Sequence, residues 1–134
     1  MKRLCEISSP DLGVITNIAP VHLELLGSLD NIAKEKTILF DAVVKKSGKC
    51  YYFADDNLLS SYSEPYKPHL RSFGVKNDAD FRATDIAIRK NAQYSFCVEG
   101  NQIELNVNGL HNVYNALAAY AVGRDLCINK EKIV

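Results

Sequence analysis

The sequence predicts an α/β fold: a partial parallel sheet flanked by helices, with a small antiparallel sheet attached. Two observations carry this expectation. Between residues 12 and 74, short apolar runs alternate with helical stretches, which is the strand–helix–strand order of a parallel sheet. Within Phe81–Arg89, Tyr94–Val98 and Gln102–Val107 apolar and polar residues alternate, and Glu99-Gly100-Asn101 sits where a hairpin must turn.

Residues 1–8 read as the end of a helix that Ser9-Pro10-Asp11 breaks. Leu12–Ile18 is apolar without alternation, as a buried parallel strand tends to be. His22 and Glu24 then fall in the loop beyond it. Ser28 caps a helix that runs to the basic, glycine-ended stretch Lys45-Lys46-Ser47-Gly48. Cys50–Ala54 is a second strand, and Asp55-Asp56-Asn57 can cap a brief helix through Tyr62. Ser63–Pro68 is expected as loop and Leu70–Gly74 as a third strand. Phe81–Arg89, Tyr94–Val98 and Gln102–Val107 make the antiparallel sheet. A helix follows from about Leu110 to Arg124, with a further start at Asn129. Three parallel strands form a thin sheet, and the first helix has no strand before it. Residues 1–134 are therefore expected to be a single partial domain.

With 134 residues, 47% of them hydrophobic, the chain can bury an ordinary core. Lys plus Arg and Asp plus Glu number 16 each. A net charge of zero argues against general nucleic-acid binding and leaves room for a local phosphate site. Cys5, Cys50, Cys97 and Cys127 lie far apart with no Cys-x-x-Cys pair, so neither zinc nor a disulfide framework is indicated. No apolar run approaches membrane-spanning length, and no signal-peptide core follows Met1. The expectation is a cytoplasmic domain without membrane insertion.

Two constellations stand out. In the helix after Ser28, Leu29, Ile32, Ala33, Leu39, Phe40 and Val43 share one stripe. Lys36 falls inside it, while Lys34, Glu35 and Asp41 point away. An ammonium there either snorkels to water or is used by something. Thr16-Asn17 ends the preceding strand, and ligands of open parallel sheets bind outside the carboxyl ends of strands. His22, Glu24 and an inward lysine could thus gather around a hard cation. The lysine would have to act as a carbamate, because an ammonium cannot ligate. Taken singly, His22 also reads as a hydrogen-bonded loop histidine and Glu24 as a solvated carboxylate.

The second constellation is the start of the late helix. His111, Asn112 and Asn115 share one side, opposite Leu110, Val113, Tyr114, Leu117 and Ala121. Amide side chains at a helix start can read a purine edge or simply cap the helix. No G-x-x-x-x-G-K-[ST] phosphate loop occurs, Gly48-Lys49 reads as turn punctuation, and His69 as surface.

Together, Thr16–Ser28, Ile32-Ala33-Lys34-Glu35-Lys36 and His111–Ala119 resemble the Mur ligase family, in its central ATP-binding domain. The T-N-x-x-x-x-H-L-E-x-x-G-S pattern looks most like the subgroup that adds D-alanyl-D-alanine. Ser72-Phe73-Gly74 and Asp80–Ile86 resemble that subgroup too, although Leu26 and Thr37 stand where it usually has phenylalanine and glycine. The resemblance implies His22 and Lys36 as catalytic residues and magnesium ligands, Lys36 in carbamylated form. It implies nucleotide contacts at Asn112, Asn115, His111 and Asn17. The cofactors implied are ATP and Mg2+, the substrates a UDP-muramoyl tripeptide and D-alanyl-D-alanine, and the intermediate an acyl phosphate. The family's N-terminal UDP-sugar domain, phosphate loop and C-terminal domain do not match any part of these residues. An inactive isolated chain, binding neither ATP nor Mg2+ by itself, is therefore expected, with self-association through exposed sheet edges open to it. Leu25-Leu26-Gly27 and Ile32-Ala33-x-Glu35-Lys36 also look like folylpolyglutamate synthase. A standalone nucleotide- or protein-binding module is the non-enzymatic alternative.

Overall fold

A computed structural model describes residues 1–20 and 23–133. Four strands pair in parallel in the order β1 (Leu12–Ile15), β2 (Lys49–Phe53), β3 (Leu70–Gly74), β4 (Phe81–Arg82). A second, antiparallel sheet joins β5 (Thr84–Ile88), β6 (Gln93–Val98) and β7 (Asn101–Asn108) in that order. Six helices accompany them among the described residues: α1 (Lys2–Ser8), α2 (Leu23–Leu26), α3 (Leu29–Val44), α4 (Asn57–Ser63), α5 (Leu110–Asp125) and α6 (Lys130–Ile133).

Local signals account for most boundaries. The Ser28 hydroxyl accepts the Asn31 N–H at 3.2 Å and starts α3. Asp56 starts α4 in the same way, its Oδ1 accepting from Leu59 N at 2.9 Å. The turn after α3 needs Gly48, because a Cβ there would lie 2.2 Å from the Asp11 carbonyl oxygen. Glu99 and Gly100 turn between β6 and β7 with positive φ.

Side chains of the parallel sheet alternate between two cores. On one face Ile15, Cys50 and Leu70 pack with Phe40 and Val43 of α3 and Leu59 of α4. On the other, Tyr51, Phe73 and Phe81 pack with Val113, Leu117, Tyr120 and Ala121 of α5 and with Phe96, Val98 and Ile103 of the antiparallel sheet. Helix α5 is thus enclosed between the two sheets.

Five expectations are corrected. The stretch Phe81–Arg89 is divided: Phe81-Arg82 joins the parallel sheet beside Phe73-Gly74, and Ala83 N–H donates to the Gly74 carbonyl before β5 begins. Phe81 is drawn there by burial against Tyr120 and by the Arg71 guanidinium, 5.0 Å from its ring centre. The segment expected as loop forms a 3-10 helix at Glu64–His69, with proline in its first turn, where no N–H is needed. Strand β1 ends at Ile15 and alternates, with Val14 38% exposed, because it is an outer strand of the four. Glu24 lies on the short helix α2 rather than in a loop. Leu29 and Leu110, the first residues of α3 and α5, are 41% and 40% exposed, and Thr37 takes a buried place on α3 by donating its hydroxyl proton to the Ala33 carbonyl at 2.9 Å.

The far end of α5 is fixed by charge. Asp125 accepts the Tyr51 hydroxyl proton at 3.0 Å and pairs with Lys49 and Arg71 at 3.6 and 3.7 Å. Burial, and after it this bond, pushes the Tyr51 phenol upward. Asp125 therefore lies beside the first half of β2. Tyr114, near the other end of α5, stacks on Phe53 at the close of β2. The helix runs antiparallel to the strands and opens at their carboxyl ends.

Candidate functional site at the carboxyl edge of the parallel sheet

The carboxyl ends of β1, β2 and β3 are bound to one another by two adjacent aspartates. Asp55 accepts backbone N–H groups of Val75, Lys76 and Asn77 at 2.7 to 3.1 Å, holding the turn after β3. Asn77 returns a bond from its side chain to the Ala54 carbonyl at 2.8 Å. Asp56 uses its second oxygen to accept the Ile18 N–H at 2.6 Å, securing the chain that leaves β1. Such charge-assisted bonds are the stronger kind, so the edge is a fixed platform.

Lys36 reaches this platform from α3. Its Nζ donates to the Asn17 carbonyl at 2.8 Å. The side chain is half-buried, its stem within the apolar stripe and its amine at the rim, which matches the snorkelling reading for the state described. Asn17 is exposed and meets Lys36 through its main chain. His22 lies outside the described residues. Glu24 is exposed.

The start of α5 forms the other part of the edge. Gly109 precedes it with φ +98, and a Cβ there would meet the His111 ring at 2.6 Å. No side chain caps this helix. Asn112 donates from its carboxamide to the Asn108 carbonyl at 2.7 Å and receives a longer bond, 3.4 Å, from the Asn115 carboxamide. His111 and Asn115 are exposed. Two carboxamides and an imidazole thus sit at the positive end of a 16-residue helix, an arrangement suited to a polar heterocycle or an anion. This geometry fits a nucleotide.

A magnesium ion finds less. Among the described residues no three His, Cys, Asp or Glu side chains lie together as cation ligands would. Lys36, as an ammonium donor to Asn17, has no lone pair to offer. The described residues therefore do not fit the metal.

Of the residues singled out from the sequence, the fold brings Lys36 to the Asn17 carbonyl and Asn112 to Asn115, and leaves His111 exposed beside them. The two groups sit on helices that cover opposite faces of the sheet. What sequence reasoning missed is the role of Asp55 and Asp56 as edge ties. The available signal was an acidic pair directly after a strand.

Residues 1–123 match the Mur ligase middle domain. The chain is 31% identical over 122 residues to the UDP-N-acetylmuramoyl-tripeptide--D-alanyl-D-alanine ligase of Bacillus subtilis, covering 90% of the chain and 26% of that protein. It is 34% identical over 131 residues to the UDP-N-acetylmuramate--L-alanine ligase of Caldicellulosiruptor saccharolyticus, covering 93% of the chain and 28% of the relative. Among solved structures, MurF from Acinetobacter baumannii superposes with a TM-score of 0.83 at 28% identity, over 96% of this chain and 29% of that one. The FPGS of L. casei shares the fold at 17% identity, with a TM-score of 0.62 over 87% of this chain and 28% of that one. The chain belongs to the Mur ligase family and corresponds to its middle domain. It spans little more than a quarter of the length of the curated relatives it matches. Among the described residues no helix is long and apolar enough to cross a membrane.

Proposed function

We propose that these residues are the nucleotide-base and lysine-bearing part of a cytoplasmic ATP-dependent carboxylate–amine ligase, one that joins D-alanyl-D-alanine to a UDP-N-acetylmuramoyl tripeptide. The observation that carries this reading is the carboxyl edge itself. The open start of α5, with His111, Asn112 and Asn115, and the Lys36–Asn17 pair both border it. Relatives acting on D-alanyl-D-alanine and on L-alanine both resemble the chain, and the A. baumannii MurF superposition supports the former as acceptor.

In this reading Asn115 and Asn112 hold the adenine edge, His111 lies beside the nucleotide, and Asn17 borders it from the other face. ATP supplies the phosphoryl group that converts the substrate carboxylate into an acyl phosphate open to attack by an amine. Lys36 orients the loop after β1 through the Asn17 carbonyl. It could join a metal with His22 only after giving up that bond and becoming a carbamate. Residues 1–134 act as one partial domain, and catalysis needs further domains to supply the phosphate loop and the UDP-sugar site.

The test is a titration of the isotopically labelled chain with ATP, followed through the side-chain amide signals of Asn112 and Asn115. In departure from the expectation that the isolated chain binds no ATP, weak saturable shifts at both, lost in Asn115→Ala, are expected from the base contacts alone. Absence of any shift up to millimolar ATP overturns the base-binding role. ADP release by the chain alone, dependent on D-alanyl-D-alanine, overturns the partial-domain reading.

A further inference from the structure

The Asn17–Ile18 peptide group is held at both ends by opposite charges. Its carbonyl oxygen accepts from the Lys36 ammonium at 2.8 Å, and its N–H donates to the Asp56 carboxylate at 2.6 Å. The two side chains come from different helices, α3 and the cap of α4, and never need to touch. A peptide group polarised by a cation on oxygen and an anion on its N–H strengthens both bonds, because each enlarges the dipole the other sees. Rotation of that peptide would break both at once.

We propose that Asp56 is a positioning residue for Lys36, acting through the Asn17–Ile18 peptide group. The Asp56 carboxylate divides its oxygens: Oδ1 caps α4 at Leu59 N, and Oδ2 takes Ile18 N. A residue needed only as a helix cap would use one oxygen and could be serine, as Ser28 is for α3. The second oxygen is the part a cap does not require. By fixing the peptide plane it aims the Asn17 carbonyl at α3 and so sets where the Lys36 amine rests. The functional weight of this relation rests on the reading of Lys36 given above.

The experiment is site-resolved acetylation of the full chain with a limiting amount of an N-hydroxysuccinimide ester at one pH. The exposed Lys34 on the same helix serves as internal reference. Asp56→Ser keeps an N-cap oxygen for α4 and cannot also span to Ile18. Leu59→Ala, at a fully buried position of α4, loosens that helix while leaving the carboxylate in place. The expected result is a Lys36-to-Lys34 ratio that rises about tenfold in Asp56→Ser, the population change that loss of one charge-assisted bond brings. The Ile18 amide should lose its protection from hydrogen exchange in the same variant. Leu59→Ala should leave both readouts near those of the parent chain. Equal rises in the two variants would show a merely structural effect and overturn the proposal. So would an unchanged ratio in Asp56→Ser, or a Lys36 that already reacts like Lys34 in the parent chain. The labelling needs no nucleotide, so its failure is separate from a failure of the ATP reading.

Discussion

The rings of Phe53 and Tyr114 lie 4.9 Å apart between centroids, inclined by 37°, and this contact fastens the start of α5 to the carboxyl end of β2. Phe53 in turn packs on Phe73 at 5.7 Å, so the aromatic contact continues into β3. Burial, and after it the Asp55 carboxylate, raises the Tyr114 phenol above its ordinary range. The stack is what holds Asn112 and Asn115 at the same edge as Asp55 and Asp56. Tyr114→Ala should cost about 2 kcal/mol in urea unfolding, somewhat less than a full core truncation because the ring is only partly buried. It should also weaken the ATP-induced shifts at Asn115. Tyr114→Phe keeps the ring and should stay within about 0.5 kcal/mol of the parent. A Tyr114→Phe variant as unstable as Tyr114→Ala would show that the hydroxyl, not the stack, fixes the helix.

Gly109 is required at the mouth of α5 for two separable reasons. Its φ of +98 disfavours any side chain, and a Cβ would press on the His111 ring at 2.6 Å. Gly109→Ala is expected to cost about 1–3 kcal/mol. The double variant Gly109→Ala/His111→Ala removes the collision and leaves the backbone strain, so it should recover only part of that loss. Complete recovery, read by thermal unfolding, would place the whole effect on the ring contact.

Stability should fall at alkaline pH through groups buried with their protons. Burial pushes the Cys50 thiol up from 9.0 to about 12, against a smaller opposing bond from the Gly13 backbone. Burial, and then the bond donated to Asp41, pushes the Tyr66 phenol up from 10.0 to about 12. Both folded-state values lie above the unfolded ones, so the native chain holds these protons more tightly. Their contribution is complete below pH 9.0 for Cys50 and 10.0 for Tyr66, and is lost as pH rises toward about 12. The urea midpoint should therefore drop across that window. Tyr66→Phe should reduce but not abolish the part of the drop that begins near 10.0, because the raised phenols of Tyr51 and Tyr114 contribute there as well. A midpoint that stays level to pH 12 would contradict both assignments.

Much of this protein is written locally, in signals that a few adjacent residues complete among themselves. Ser28 and Asp56 cap their helices whatever lies beyond them, and Glu99-Gly100 turns a hairpin because its backbone tolerates positive φ. The stripe of α3 placed Ile32, Ala33, Phe40 and Val43 in the core, and the polar side of α5 placed His111 and Asn115 in solvent. Those features determined the α/β class, the order of elements and the helices that carry Lys36, Asn112 and Asn115. Tertiary structure decided the choice of partners. The alternation read from Phe81 to Arg89 changes phase at Thr84-Asp85, and Phe81-Arg82 and Thr84–Ile88 enter different sheets, a choice the pattern does not make because alternation records which face is buried and not which strand lies alongside. The Lys36 amine finds a carbonyl 19 residues earlier in the chain, and the same peptide finds a carboxylate 38 residues later. No local pattern encodes such bonds, since their geometry exists only after β1, α3 and α4 have packed around one sheet.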